Sequence, residues 1–520
     1  MKIFKWTIGI LGVLLISGIL YAYLKADALV ESYLKKSIPK NVELKYSSLS
    51  VNIFRAELRI FDVELALHNE SNGVRFATVQ SKKMELDGFN YWQYFKNDFI
   101  QIRKIHIQDP ITTIHPALRH HIADSLQLTT KSVRRKMELK QFEISNGQLY
   151  MMKDGADSIR FSAMKIHLNL SDIVPIDSLG SGRMPFLYED LKFEMSELYI
   201  SMGNYEDLFV AHSAMYKHKI ELADLSVKSK FSKDQMLSVL PEEREHFDIQ
   251  IPLVVLDSIE FEIKQKLFYM YASMMSIQNA KLDIYLDKRL KDRTRFRPMY
   301  SKLIRDLPFK LDIDSTRFDN WNIVYDEKHE TNLKAGRVSF ENLNANIMHL
   351  TNLPESNKTT QIRANAQIMG QGMASIDWKF DVQNTREEFK VTGKVSDFKA
   401  GATNQFLNSF VKTSLSGEIE QVYFNIAGDD IRSSGDFKMK YNDLNIAILK
   451  DDRSEKHQIK SFIGNLLLDN GTNADAEGFR HGQISVIRNQ RRPFFNYLWL
   501  NVKDGIENTI RINNRKQGPR

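Results

Sequence analysis

The sequence predicts a mainly β protein with a transmembrane helix near its N-terminus and an amphipathic helix near its C-terminus. Three observations carry this prediction: a long uncharged apolar run over residues 6–24, apolar–polar alternation through most of the chain, and a 3.6-residue apolar period after Pro493. Alternation with a period of two places successive side chains on opposite faces of a strand. Each predicted strand therefore has one apolar and one polar face.

The apolar run Trp6–Leu24, WTIGILGVLLISGILYAYL, has the length of a membrane span. Nineteen residues at about 1.5 Å each give roughly 28 Å of helix, close to the ~30 Å core of a bilayer. Lys2 and Lys5 precede it, so the positive-inside rule keeps that end in the cytoplasm. Ala26-Asp27-Ala28 resembles a signal-peptide cleavage site, but the apolar part of a signal peptide runs about 7–15 residues. We therefore expect a retained anchor.

Composition limits the class of protein. The chain has 520 residues, too many for one ordinary core, which indicates several packed units or one elongated unit. Charged residues make up 26% and apolar residues 42%, values typical of a folded chain. The net charge of +7 is dispersed among acidic residues, which argues against a nucleic-acid partner. The absence of cysteine excludes disulfides, thiolate metal sites and a cysteine nucleophile.

A loose internal repeat runs through the alternating part of the chain. Residues 139–170 and 311–347 each predict a strand, a short polar turn and a second strand with an aromatic residue, and 253–286 has a similar rhythm. The turns are expected near Asn146-Gly147 and Asp319-Asn320. The pattern suits successive antiparallel hairpins added to one long sheet.

Helical segments are few. We expect helices over 27–37, ended by Pro39, and over 402–413, whereas 117–136 is either a helix or a long loop. The segment 288–305 carries eight basic residues and one acidic residue, and it is either a contact for anionic headgroups or a solvated loop.

The final helix, after Pro493, has an amphipathic pattern. Gly505 weakens it by about 1 kcal/mol relative to alanine. It is expected either to dock on a membrane or membrane partner, or to cap the end of the sheet. The predicted docking face consists of Phe495, Leu498, Trp499, Val502 and Ile506.

The chain lacks the residue patterns of the common enzyme classes. It has no G-x-S-x-G, H-E-x-x-H or P-loop pattern, and Gly370-Gln371-Gly372 lacks the third glycine of a dinucleotide motif. His115, His120 and His121 do not share a face in helix or strand spacing. We expect no enzymatic activity, no cofactor and no metal.

The order of these features resembles the AsmA-like family of Gram-negative envelope proteins, which is related to TamB and the bridge-like lipid transfer proteins. The resemblance is carried by the anchor, by LKKSIPKNVELKYSSLSVNIFRAELRIFDVELAL (34–67), by GEIEQVYFNIAGDDIRSSGDFKMKYNDLNIAILK (417–450) and by RRPFFNYLWLNVKDGIENTI (491–510). It implies an elongated, strongly curved antiparallel sheet, a β-taco whose apolar concave groove carries phospholipid acyl chains across the periplasm. It brings no catalytic residues.

On this resemblance the chain is an inner-membrane protein with a cytoplasmic N-terminus and a periplasmic body, acting in outer-membrane biogenesis. Its partners are phospholipids, the inner membrane through Trp6–Leu24, and the outer membrane or an envelope protein through the C-terminal helix. Candidate groove residues are Leu58, Ile60, Ile166, Leu168, Leu170, Ile259, Phe261, Ile263, Leu282, Ile284, Leu286 and Ile446.

The residues alone leave an alternative open. Alternating strands usually form a sandwich or barrel whose apolar faces close on each other. The chain would then be an anchored periplasmic scaffold or outer-membrane assembly factor. Under either interpretation we divide it into an anchor (1–26), a helix and chorein-like β unit (27–136), repeating hairpins (137–400), a C-terminal β module (401–490) and the final helix with a basic tail (491–520).

Overall fold

A computed structural model describes residues 25–510 except 35, 37, 70–71, 116–136, 154–157, 176–185, 265–266, 330–333, 411–412 and 449–473. The predicted mainly β fold is confirmed. Contacts divide the chain into an N-terminal unit, up to Met202 plus Leu208–Leu222, and a C-terminal unit, Gly203–Asp207 plus the chain from Ala223. No helix among the described residues has the length and apolarity of a membrane span, and the predicted anchor lies outside them.

The N-terminal unit is built of short and long strands in chain order. They are β1 (Val42–Lys45), β2 (Ser48–Asn52), β3 (Glu57–His68), β4 (Arg75–Phe89), β5 (Ile100–Gln108), β6 (Ile111–Ile114), β7 (Met137–Met152), β8 (Ile159–Pro175), β9 (Phe186–Leu187) and β10 (Asp190–Ser201). The chain passes between the units within β11 (Glu206–Tyr216) and β12 (Lys219–Ser229).

Pairing in this unit is mixed, so the purely antiparallel sheet predicted from the sequence is wrong. β1 and β2 both pair antiparallel with β3, and β3 pairs antiparallel with β4. β5 and β6 pair antiparallel with β4 but parallel with β7, and antiparallel pairing then continues through β8 to β10. Parallel neighbours require a long return connection, which hairpin periodicity in the sequence does not reveal.

The C-terminal unit repeats this arrangement with longer strands. They are β13 (Glu245–Asp257), β14 (Glu260–Lys264), β15 (Leu267–Gln278), β16 (Lys281–Asp287), β17 (Lys310–Lys328), β18 (Gly336–Thr351), β19 (Thr360–Ile368), β20 (Gly372–Phe380), β21 (Phe389–Lys399), β22 (Thr413–Gly428), β23 (Arg432–Ile448) and β24 (Arg480–Ile487). β15 and β16 both pair parallel with β17, and each later strand pairs antiparallel with the next.

Helices connect or cover the strands. The segment 25–34 is helical, as expected, and the other described α-helices are α1 (Tyr91–Asn97), α2 (Lys233–Val239), α3 (Tyr300–Arg305), α4 (Asn404–Phe410) and α5 (Phe494–Ile510). A 3₁₀ turn, Ala400–Thr403, precedes α4. The predicted helices near 402–413 and after Pro493 are thus confirmed. The segment 117–136, predicted as a helix or loop, lies almost entirely outside the described residues.

The polar turns predicted near Asn146 and Asn320 are wrong: the strands continue through both positions. Each asparagine has a positive φ, 53° and 54°, and each lies at a register shift of its strand. Asparagine adopts this left-handed conformation more readily than most residues. The Asn146 amide donates to Asp109 Oδ1 at 2.6 Å and the Asn320 amide to Asn279 Oδ1 at 2.9 Å. Both positions are therefore β-bulges, which bend the strand that contains them.

Candidate functional site: the apolar face

Two rows of apolar side chains cross seven strands of the N-terminal unit. Directly paired residues of a sheet project to the same face, so the register defines each row. The first row is Leu49, Ile60, Met84, Ile107, Ile144, Leu168 and Phe193. The second row is Val51, Leu58, Leu86, Ile105, Phe142, Leu170 and Leu191. With strands about 4.8 Å apart, each row is about 29 Å long.

The opposite face of the same strands carries charges. Arg59 pairs with Glu85 at 3.1 Å, Lys83 reaches the same carboxylate at 2.6 Å, and the His106 ring lies 3.4 Å from it. Partial burial raises the pKa of Glu85, but hydrogen bonds from Lys83 and His106 outweigh it and leave that pKa below its ordinary value. The carboxylate is therefore ionised at neutral pH, and this face prefers water.

The apolar rows are half-buried, with Leu170 the only fully buried member. Among the described residues of this unit, α1 contacts the sheet at β5. The helix 25–34 reaches one end of the second row, where Asp27 accepts a hydrogen bond from the Val51 N–H at 2.6 Å. Within the described part of the N-terminal unit, the two rows therefore form a long apolar surface that stays partly accessible, except at Leu170.

In the C-terminal unit one end of the apolar face is covered. One row runs through Phe318, Ala345, Ala364, Ile376, Gly393, Phe424 and Phe437. At its end α5 packs on β23 and β24, and the Phe494 ring stacks on Trp378 with centroids 4.4 Å apart. Tyr300 of α3 meets the same two rings edge-on. The resulting core contains Trp378, Phe389, Val391, Phe424, Ile426, Phe437, Met439, Ile484, Phe494 and Tyr497, all buried.

The predicted groove residues of the N-terminal unit lie together. Leu58, Ile60, Leu168 and Leu170 belong to the two rows. Ile166 lies on the same strand as the last two and pairs with Gly147 across the bulge.

The three predicted groove residues near position 260 do not lie on one regular strand. Phe261 and Ile263 lie on β14, and the Phe261 ring stacks on Phe268 at 5.5 Å. Ile259 lies outside that strand, in the link after Ser258, whose φ is 53°, and it is only 2% exposed. The expected regular alternation from Ile259 onward is therefore interrupted, because a left-handed residue separates β13 from β14.

The remaining groove candidates lie in paired strands of the C-terminal unit. Leu282 lies between Ile249 and Ile323 in an apolar row, whereas Leu286 is buried. Ile284 lies on the same strand, β16. Ile446 packs against the protein core instead of an open surface.

The predicted docking face of α5 is divided. Leu498, Val502 and Ile506 pack against the core, while Phe495 and Trp499 remain exposed. The residues of α5 that are fully buried are Phe494, Tyr497, Asn501, Gly505, Thr509 and Ile510. Because this buried set includes Asn501, Gly505 and Thr509, the apolar period of the sequence did not identify the inner face of α5 correctly.

Some cations of the basic segment 288–305 pair with carboxylates of the protein, a role that the sequence did not predict. Lys288 Nζ lies 2.6 Å from Glu243, a buried carboxylate, and Arg293 lies 2.7 Å from Glu245. Arg492, just before α5, contacts Glu243 as well. The charges of this segment serve largely to fix three parts of the C-terminal unit to one another.

Most members of the two rows were not predicted from the sequence, including Met84, Leu86, Ile105 and Phe142. Their signal was the same period of two: Lys104 and His106 alternate with Ile105 and Ile107. The sequence does not reveal the strand register that aligns these residues into rows, because that register depends on the parallel pairing of β5 with β7.

The described residues give little support for a metal site. They contain no group of three or more metal-ligating side chains placed to hold an ion. A cavity of about 650 Å³ lies over β17–β22, and it is lined by Phe318, Ala345, Ala364, Ile376 and Gly393 of the apolar row together with polar residues such as Arg317, Asn346, Arg363 and Asp377.

Comparison with known proteins supplies no assignment. The chain matches no known protein-family model, and no curated protein is significantly similar to it.

Proposed function

We propose that this protein is a non-enzymatic lipid-transfer protein of the AsmA-like class. Residues 6–24 anchor it in the bacterial inner membrane, and the apolar face carries phospholipid acyl chains in the periplasm toward the outer membrane. The proposal is supported by one observation above all: the two continuous apolar rows of the N-terminal unit, whose side chains are only half-buried apart from Leu170.

The physical basis is the cost of leaving such a surface in water. Burial of apolar surface contributes about 25 cal/mol per Å² without any directional contact. A row of half-buried Ile, Leu, Met and Phe side chains therefore binds hydrocarbon with little selectivity. Such a surface needs length and apolarity instead of a fixed constellation of polar groups.

Site-specific photo-crosslinking in cells tests the proposal. A photoreactive residue at Leu168 or Phe193 is expected to capture phospholipid. The matched controls are His167 and Lys192, which are exposed neighbours on the same strands and project to the opposite face. Crosslinks from Leu168 and Phe193 to protein alone would contradict lipid transfer.

An anchored scaffold with a closed core is the second candidate. It is favoured by the C-terminal unit, where α5 and α3 cover one end of the apolar face with aromatic side chains. The same experiment separates the two. A scaffold would give protein crosslinks at positions 168 and 193.

A further inference from the structure

One end of the N-terminal unit carries exposed aromatic residues beside cations. Phe54 is 73% exposed, Trp92 68% and Phe95 80%. Arg55 and Lys96 are exposed next to them. We call these five residues the aromatic rim.

Two connections bring the rim together. Phe54 and Arg55 lie in the turn between β2 and β3, and Trp92, Phe95 and Lys96 lie on α1 directly after β4. The Gly88 N–H donates to the Ala56 carbonyl at 3.1 Å, which ties the end of β4 to that turn.

The contacts of α1 leave its outer side exposed. Asn90 caps the helix by accepting from the Gln93 N–H at 3.1 Å, and the Phe89 ring lies 5.4 Å from both Tyr91 and Tyr94. Lys96 Nζ lies 4.8 Å from the centre of the Trp92 ring. An indole with a cation above it is suited to the boundary between water and hydrocarbon.

The chain that follows the apolar run reaches this same end. Asp27 comes three residues after Leu24, and its carboxylate accepts a hydrogen bond from the Val51 N–H at 2.6 Å. Val51 is the last apolar residue of β2 before the turn that carries Phe54. The aromatic rim therefore lies near the point where residues 6–24 join the folded chain.

We propose that the aromatic rim inserts into the interfacial layer of the bilayer that holds residues 6–24. Tryptophan and other aromatic rings concentrate at that depth, and the two cations complement anionic headgroups. Val51, Leu58 and Leu86 of the second apolar row lie within a few residues of the rim. Insertion would hold that end of the apolar face at the membrane surface, where acyl chains are available.

This inference rests on the membrane anchor of the proposed function, and the test separates the two. The chain has no cysteine, so one engineered cysteine can carry an environment-sensitive fluorophore. The full chain is placed in nanodiscs of phosphatidylcholine and phosphatidylglycerol that contain a nitroxide-labelled lipid. Phe95→Cys carries the label at the rim. Val74→Cys is the control, because Val74 is exposed at the other end of the β3–β4 hairpin, about 36 Å away at ~3.3 Å per residue.

Several-fold stronger quenching at position 95 than at position 74 is the expected result. Equal, weak quenching from a chain that co-elutes with nanodiscs would overturn the rim and leave the anchor intact. A chain that fails to co-elute would overturn both. A photoreactive residue at Phe95 that crosslinks to residues 6–24 instead of lipid would show that the chain itself covers the rim, which also overturns the inference.

Discussion

Gly505 of α5 lies against the ring of Phe437 on β23. A Cβ built at position 505 would lie 2.4 Å from Phe437 Cδ2, closer than real atoms approach. On the adjacent strand, a Cβ at Gly482 would lie 2.8 Å from the Gly505 carbonyl oxygen. The backbone of α5 therefore packs directly against β23 and β24 at this point. This close packing is possible because both contact positions are glycines without a side chain.

Replacing Gly505 with alanine is expected to lower stability. The substitution gains about 1 kcal/mol of helix propensity, but an extra methyl in a packed core costs typically 1–3 kcal/mol. Thermal unfolding of the purified chain measures the net effect. Asn496→Ala, at a half-buried position on the same helix, replaces a side chain with a smaller one and gains propensity without this clash, so it is the control. An unchanged or raised melting temperature for Gly505→Ala would show that α5 docks loosely.

The position of α5 could be predicted from the sequence, but the packing of Gly505 could not. The 3.6-residue period located α5 correctly, and period-two alternation located the strands, because both depend on which face is apolar. From the sequence, Gly505 was expected only to weaken the helix. Its packing role depends on Phe437, 68 positions away in the chain, and no local pattern encodes that distance.

The same limit explains the candidate site. Leu58 and Ile60 were found from alternation, but the rows they belong to depend on strand order and register. Asn146 was interpreted as a turn because Asn-Gly is a strong hairpin signal, whereas a bulge uses the same left-handed conformation. Asn501 was missed because its buried amide is satisfied by the distant Ser433, whose hydroxyl donates to it at 2.7 Å.

Val502→Glu is expected to lower the melting temperature clearly, because Val502 packs against the core and an unpaired charge there loses its hydration. Phe495→Glu on the same helix is expected to change it little, because Phe495 is 57% exposed. Thermal unfolding of both variants decides between a cap and a free docking face. If Val502→Glu unfolded at the wild-type temperature, α5 would not be part of the core.

Glu243→Ala is expected to cost about 3–5 kcal/mol, the typical loss when a buried ion pair loses one partner. Glu243 is 2% exposed and accepts from Lys288 at 2.6 Å, so its removal leaves cations without compensation. Chemical denaturation provides the free energy of unfolding. Glu197→Ala, which breaks an exposed pair with Lys165, is the control and should cost at most about 1 kcal/mol. Equal losses for the two variants would contradict a structural role for this network.

The ion pairs of Lys140 are expected to make stability depend on pH. Lys140 Nζ lies 2.5 Å from Glu138 and 2.9 Å from Asp172, and these hydrogen bonds lower the pKa of both carboxyls. A carboxyl with a depressed folded-state pKa stabilises the fold above its unfolded pKa of about 4 and loses that contribution as the pH falls through the folded value. Lys140→Met should therefore unfold earlier than wild type at pH 7, and the difference should disappear in acid. A difference that persisted below about pH 2 would point to packing by the lysine stem.

Aspartate substitutions distinguish an open apolar face from a closed one. Leu168 is half-buried in the apolar rows of the N-terminal unit, whereas Val391 is 1% exposed within the C-terminal core. A carboxylate at position 168 can keep part of its hydration when lipid is absent, so Leu168→Asp should lower the melting temperature only slightly. It should nevertheless abolish lipid capture by a photoreactive residue at Phe193, because acyl chains would then have to cover a charge. Val391→Asp has no such access to water and should unfold the C-terminal unit. If Leu168→Asp were as destabilising as Val391→Asp, the rows would be sealed by protein, and the chain would act as a scaffold.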